Sequence, residues 1–250
     1  MPEGLTLLEI LLLTLAVLGG STAVSSLGFG VGMVATPILL LAFEPQAAIV
    51  TLAPAATLIS ALTAWKQRHH IPFKTISPIL LLGVLGSLTG VYILSTSDEQ
   101  LLRITIVILI ILLTFITVLD PSLIKDKIPY PKIVGPIIGY VVGFMLGSMA
   151  IGGPLIVLFW IMRGWNSNEI RGMAALFLLC IIGTGTIGYI PANLYTGERL
   201  TMSLIAIVPV FAGYFLGTRI AGLMNEKVFR KAAVGLIVTS SLLVLLRELI

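Results

Sequence analysis

Gly28-Phe29-Gly30-Val31-Gly32-Met33-Val34-Ala35-Thr36-Pro37 interrupts a charge-free run of 34 residues, Ile10 to Phe43. Gly147-Ser148-Met149-Ala150-Ile151-Gly152-Gly153-Pro154 interrupts a second such run of 30 residues, Ile133 to Met162. A helix needs about 20 apolar residues to cross the hydrocarbon of a bilayer. Each run is too long for one crossing and too short for two with a turn, and each is broken by glycine and proline near its middle. A long helix followed by a short one fits both. The six other charge-free runs, Pro45–Trp65, Thr75–Ser97, Ile104–Leu119, Gly172–Gly197, Leu200–Thr218 and Ala232–Leu246, are each of single-helix size once flanking residues such as Arg103 and Arg247 snorkel. The expected fold is therefore all-α and polytopic, with ten helical segments, two of them short, broken or re-entrant.

Composition agrees. Of 250 residues, 58% are hydrophobic and only 10% charged, with a mean hydropathy of +1.11, where a soluble domain carries about 25% charge. Disorder, a coiled coil, a disulfide scaffold and a nucleic-acid module are excluded together, and the single Cys180 can pair only between chains. The opening Met1-Pro2-Glu3-Gly4 has no basic stretch, so the first apolar run reads as a membrane helix and not as a cleaved signal peptide.

The order of run lengths repeats. The first half reads 34, 21, 23, 16 and the second 30, 26, 19, 15. Gly86-Ser87-Leu88-Thr89-Gly90 aligns with Gly213-Tyr214-Phe215-Leu216-Gly217, and at the same offset Asp98 to Arg103 aligns with Asn225 to Arg230. Pro37 corresponds to Pro154. Two repeats are expected, residues 1–125 and 126–250, integrated into one membrane domain. The paired glycines Gly86, Gly90, Gly213 and Gly217 read as helix-packing positions.

Sidedness follows from the cations. If the segments alternate, twelve Lys and Arg residues, among them Lys66, Arg68, Lys74, Arg163, Arg171 and Arg219, fall on one face and only Arg103, Arg199 and Arg247 on the other. The richer face should be cytoplasmic, which leaves both termini outside a plasma-membrane protein. Five segments per half is an odd number, so the second repeat enters from the opposite face, the inverted arrangement found in secondary transporters.

Broken backbone inside a bilayer is tolerated only where it is buried in protein or lines a cavity. Proline suits the first turn of a helix, so Pro37 and Pro154 are expected to begin the two short helices. Their free N–H groups and the positive ends of their dipoles would then face the midplane, a setting for a small anion. The candidate substrate-binding residues are Gly28, Gly30, Gly32, Gly152 and Gly153 for close backbone approach, Pro37 and Pro154 as helix starts, and Ser25, Ser26, Thr36 and Ser148 as hydroxyl donors. Arg171, at the cytoplasmic entry to the eighth segment, joins them as an electrostatic attractor.

Other residues read as structural. Glu9 lies inside the first segment, where snorkelling competes with proton coupling. Adjacent His69 and His70 have no third ligand nearby, and no catalytic residue, metal or cofactor is expected. Asp98 and Asn225 read as helix caps, while Trp65, Trp160, Trp165, Tyr130 and Tyr195 read as interface anchors.

The duplicated layout, the glycine-rich stretches closing on Pro37 and Pro154, and Asn168-Glu169-Ile170-Arg171-Gly172-Met173-Ala174-Ala175 together resemble the sulfite exporter family of the TauE/SafE type, although Ala35-Thr36 is poorer in glycine than that family's first motif. The resemblance spans essentially the whole chain. It implies a membrane permease for small sulfur-containing or organic anions such as sulfite or sulfoacetate. The expected activity is transport of such a solute by alternating access, with export favoured. An anion channel of the same architecture is the alternative, and an intramembrane enzyme ranks last. Expected partners are the small anion and the lipid bilayer, with no nucleic acid; the sequence leaves room for a homo-oligomer.

Overall fold

The computed structural model describes residues 5–27, 31–118 and 130–220, together with residues 237–239, 241–244 and 246. The described residues form helices and connections without strands. In chain order the α-helices are α1 (Leu7–Leu27), α2 (Val31–Leu39), α3 (Pro45–Gln67), α4 (Phe73–Thr96), α5 (Glu99–Val118), α6 (Pro131–Met149), α7 (Gly153–Met162), α8 (Ser167–Gly188) and α9 (Gly197–Ile220), with a short 3-10 turn at Arg68–His70 after α3. Seven of them are long and apolar enough to cross a membrane. The chain is thus a multi-pass membrane protein.

Both long runs divide as a long helix and a short one: 21 and 9 residues in α1 and α2, then 19 and 10 in α6 and α7. The second break has a clear backbone cause. Ala150 caps α6 in the left-handed region (φ 56°), and Gly152, the N-cap of α7, has φ 126°, which glycine alone adopts without strain. Pro154 then sits in the first turn of α7, as expected.

Pro37 does not begin its helix. The helix α2 already runs from Val31, and Pro37 lies well inside it. The physical reason is that proline is a weak stop signal where neighbouring helices re-satisfy the freed carbonyl; Pro54, Pro78, Pro136 and Pro209 are likewise interior to α3, α4, α6 and α9.

Helix pairing follows the small residues. The most extensive contacts join α4 to α6, α1 to α9 and α3 to α8. A Cβ at Gly86 or Gly90 of α4 would strike the carbonyl oxygen of Tyr140 or Phe144, and one at Gly139, Gly143 or Gly147 of α6 would strike Ile79, Gly83 or Ser87. On α9 a Cβ at Gly213 would come within 2.5 Å of the Leu18 oxygen, and one at Gly217 within 2.5 Å of the Thr22 oxygen. In hydrocarbon, where apolar burial gives helices little reason to associate, such close backbone contact supplies the dispersion energy that holds them. The packing expectation for all four paired glycines is met.

Exchanging α1–α4 with α6–α9 turns the α1–α9 pair into α6–α4, α3–α9 into α8–α4, α1–α2 into α6–α7 and α2–α3 into α7–α8. All of these pairs occur. Smaller expectations divide. Asp98 caps α5 through the N–H groups of Gln100 (2.9 Å) and Leu101 (3.1 Å); Asn225 lies outside the described residues. Glu9 accepts from the N–H and hydroxyl of Thr6, both at 2.8 Å, and so caps α1. Trp65 and Tyr130 are exposed, as anchors should be, but Trp160 is fully buried, edge-to-face against Phe177 at 6.1 Å. A tryptophan on a ten-residue helix enclosed by the bundle has no lipid interface to reach.

Candidate functional site

The two helix breaks meet. Gly32, in the first turn of α2, lies so close to the Ala150 carbonyl that a Cβ there would overlap it, and Gly20 of α1 leaves room for the Val31 carbonyl behind it, 2.7 Å from where its own Cβ would stand. Glycine at these two points lets the start of α2 press onto the connection between α6 and α7. Between them lies a cavity of about 50 Å³ bounded by Val31, Gly32 and Met33 on one side and Ala150 to Pro154 on the other. It has room for roughly three to five waters at ~10–15 Å³ each.

Its remaining walls come from α1, α3, α6 and α8 and are almost wholly apolar, including Val24, Leu52, Ile59, Leu146 and Ile182. Among the described residues only two polar side chains line it, Ser60 and Tyr189. The Tyr189 hydroxyl donates to the Gly147 carbonyl at 2.9 Å. Ser60 is 7% exposed, and among the described residues its hydroxyl meets no partner. Among the described residues the N–H groups of Ile151 and Gly152 donate to no backbone carbonyl. Unpaired N–H groups at the start of α7, with the dipoles of two helix N-termini, give the cavity a positive potential without a formal charge.

Val24, Ile59, Ser60 and Leu178 also line a second, larger cavity of about 190 Å³. This vestibule is more polar than the central cavity: Ser25, Thr63, Lys66, Gln67, Arg171, Tyr214 and Thr218 face it, and among the described residues no carboxylate does. Neither Lys66 nor Arg171 forms a salt bridge among the described residues. The capping box at Asn166 starts α8 and so sets the position of Arg171: the Asn166 side chain accepts from the N–H groups of Asn168 (3.1 Å) and Glu169 (3.0 Å), and the Asn166 N–H donates to the Glu169 carboxylate (3.1 Å).

The opposite end of α3 is built differently. Lys66 and Glu44 are separated by the length of that helix, about 33 Å at 1.5 Å per residue. Arg199, in the first turn of α9 and 9% exposed, donates to Glu44, to Gln46 Oε1 at 3.0 Å and to the Leu194 carbonyl at 3.0 Å. Gln46 in turn donates to the Leu94 carbonyl at 3.0 Å, and Arg103 donates to the Leu40 carbonyl. Burial opposes ionisation of Glu44 most strongly, but the Arg199 hydrogen bond and charge, helped by Glu99 and then by Arg103, outweigh it and hold the carboxyl below its ordinary 4.5. This cluster ties α2, α3, α4, α5 and α9 together.

The candidate residues read from the sequence fall into four groups. Gly32, Gly152, Gly153 and Pro154 line the central cavity. Ser25 and Arg171 line the vestibule, although the Ser25 hydroxyl already donates to the Ser21 carbonyl at 3.0 Å. Thr36, Pro37 and Ser148 line neither; Thr36 is buried with an unpartnered hydroxyl, and Ser148 donates back to the Phe144 carbonyl at 2.7 Å. Gly28 and Gly30 lie outside the described residues, as does the side chain of Ser26. The sequence reading missed Ser60, Lys66, the buried Tyr189 and the Glu44–Arg199 pair. The signal available for Arg199 and Lys66 was charge at the end of an apolar run, which records a membrane side and not a partner.

No curated protein and no solved structure matches the chain. The family model for the sulfite exporter TauE/SafE matches residues 12–244. With the match covering nearly the whole of a multi-pass helical chain, the protein belongs to the TauE/SafE sulfite exporter family, whose members are membrane transporters of sulfite-type anions and not enzymes.

Proposed function

We propose that this chain is an alternating-access carrier for a small anion, built from two inverted five-segment repeats, residues 1–125 and 126–250. The reading rests above all on one observation: the starts of two short helices, one from each half, bound a single cavity that continues into a basic vestibule. The exchange of helix pairs between the halves supports the repeat, because an approximate two-fold relation generates that set of partners.

The same observation orders the path. An anion is drawn to Lys66 and Arg171, passes Ser60 and reaches the paired helix starts, where Gly32, Gly152, Gly153 and Pro154 bring backbone against it. The Glu44–Arg199 cluster closes the far end of α3. With the basic face cytoplasmic by the positive-inside rule, both termini lie outside and this conformation faces inward in the plasma membrane. Opening outward separates the Arg199 cluster as one repeat rocks against the other. A cytoplasm-negative potential favours anion exit by about 2.3 kcal/mol per charge per 100 mV, so export down a modest gradient requires no coupling ion.

The test is anion flux from proteoliposomes with sulfite, thiosulfate, sulfoacetate, acetate and chloride, comparing wild type with Gly153→Leu and Pro37→Ala. Saturable flux that is abolished by Gly153→Leu and kept by Pro37→Ala is expected, since only Gly153 lines the cavity. Flux that does not saturate and runs at channel rates refutes the carrier. Full activity in a folded Gly153→Leu protein refutes the site.

A further inference from the structure

The path through the cavities ends at one side chain. Arg171, Ala175 and Leu178 line the vestibule, and Leu178, Ile182 and Tyr189 line the central cavity. At about 100° per residue these positions form one stripe of α8, whose helical backbone conformation extends to its C-cap, Tyr189 (φ −67°, ψ −21°). Arg171 and Tyr189 lie about five turns apart on the same face, roughly 27 Å along the axis. We propose that Tyr189 is the outward gate of this path and that it opens together with the Glu44–Arg199 cluster. The proposal rests on the anion-transport reading of the same cavities and names the residue that controls exit from them.

Hydrogen bonds hold Tyr189 from both sides. The helix α6 ends at Met149, so the carbonyls of its last turn lack helical N–H partners. Leu146 accepts from the Ala150 N–H at 3.2 Å, and Gly147 accepts from the Tyr189 hydroxyl at 2.9 Å. Tyr189, 1% exposed, is thereby held across the outer end of the cavity. In the other direction, the Leu194 N–H donates to the Tyr189 carbonyl at 3.0 Å, and the Leu194 carbonyl accepts from Arg199 at 3.0 Å. Arg199 also donates to Glu44 of the first half. The connection between α8 and α9, residues 189–196, is therefore fastened at one end to the break after α6 and at the other to the first half. Separating Arg199 from Glu44 frees it, and the phenol ring leaves the path only by giving up its bond to Gly147.

Tyr195 supplies an independent sign of a second position for this connection. Its ring packs edge-to-face on Tyr189 at 6.2 Å, yet its hydroxyl is buried and, among the described residues, unpartnered. A buried hydroxyl is ordinarily satisfied. A shift of the connection that brings it water or a carbonyl satisfies it, so the Tyr195 hydroxyl favours the open position as the Tyr189 hydroxyl favours the closed one.

Labelling of Ala56→Cys in a Cys180→Ser protein by an impermeant thiol reagent reads the gate from each side of a proteoliposome, since Ala56 lines the central cavity. Tyr189→Phe keeps the ring and removes its bond, so labelling from the Glu44 side should rise about fivefold, while labelling from the Lys66 side stays level. Tyr195→Phe removes a hydroxyl unbonded in the closed form and should slow labelling from the Glu44 side by about fivefold. Residues that serve packing alone would move the two rates the same way, or change labelling from both sides. Tyr189→Ala should turn saturable sulfite flux into a leak that rises linearly with concentration. Unchanged labelling from the Glu44 side in both folded phenylalanine variants, or a rise in both, overturns the gate while leaving anion transport standing. Saturable flux in a folded Tyr189→Ala protein overturns it equally. Absence of saturable anion flux in the wild type removes the transport reading and this proposal with it.

Discussion

Removing the Glu44 carboxylate is the perturbation that separates a moving barrier from a static one. Arg199 is 11% and Glu44 37% exposed at the side chain. Breaking a fully buried pair costs about 3–5 kcal/mol, and an exposed pair is worth about 0–1 kcal/mol. The half-exposed carboxylate and the continuing bonds from Arg199 to Gln46 and Leu194 place Glu44→Ala between these, at about 1–2 kcal/mol. That energy is present in the inward-facing form and absent once the cluster opens, so its loss should raise the outward-open population about 5- to 30-fold. The assay uses Cys180→Ser with a cysteine at Ala56, which lines the central cavity. An impermeant thiol reagent applied from the Glu44 side should react about 5- to 30-fold faster in the Glu44→Ala protein, while labelling from the Lys66 side persists and reports an intact fold. Unchanged labelling from the Glu44 side in a folded protein would refute the idea that this cluster guards an alternating path.

Acidification should act on the same cluster. Because the native Glu44 carboxyl sits below its ordinary 4.5, its stabilising contribution is complete above that value and is lost as pH falls through the lower native one. Arg199, Gln46, Glu99 and Arg103 are the groups that face it or its partners. The ratio of the wild-type to the Glu44→Ala external labelling rate at Ala56→Cys, in which the falling thiolate fraction cancels, should therefore rise towards one at low outside pH. Neutralising both vestibule cations in Lys66→Gln/Arg171→Gln should raise the half-saturating anion concentration and flatten its salt dependence, since the attraction they provide is screened over about 10 Å at 0.1 M; kinetics at two ionic strengths check this. Gly143→Ala should lower thermal stability in detergent, by about 1–3 kcal/mol for an overpacked crossing, because its Cβ meets the Gly83 backbone, and flux per folded molecule should change less than stability does.

Apolar run lengths and the placement of Gly and Pro made the membrane helices, the two long-short divisions and the packing role of Gly86, Gly90, Gly213 and Gly217 legible in the sequence. These are properties of composition and spacing, and the bilayer enforces them over any competing local preference. The start of α2 was not legible, because in hydrocarbon a proline such as Pro37 is compatible with a helix interior. Trp160 shows the same limit: its type suits an interface, but the enclosure of α7 is a matter of helix arrangement. Of the candidate residues, Gly152, Gly153 and Pro154 were marked by the glycine-proline stretch and line the central cavity. Ser60 was not marked, since a lone serine in the α3 segment carries no pattern until α8 and the two helix starts surround it. Glu44 and Arg199 are 155 residues apart in the chain, and only the approach of α9 to the start of α3 makes them partners.

The central claim is that the anion binds where the starts of α2 and α7 come together. A structure of the protein with bromomethanesulfonate, located by the anomalous signal of its bromine, tests it most directly. The account predicts a bromine peak in the cavity bounded by Gly32 and Gly152 to Pro154, with the sulfonate against the two helix starts. A peak confined to the vestibule beside Lys66 and Arg171, with the central cavity vacant at saturating ligand, would contradict it.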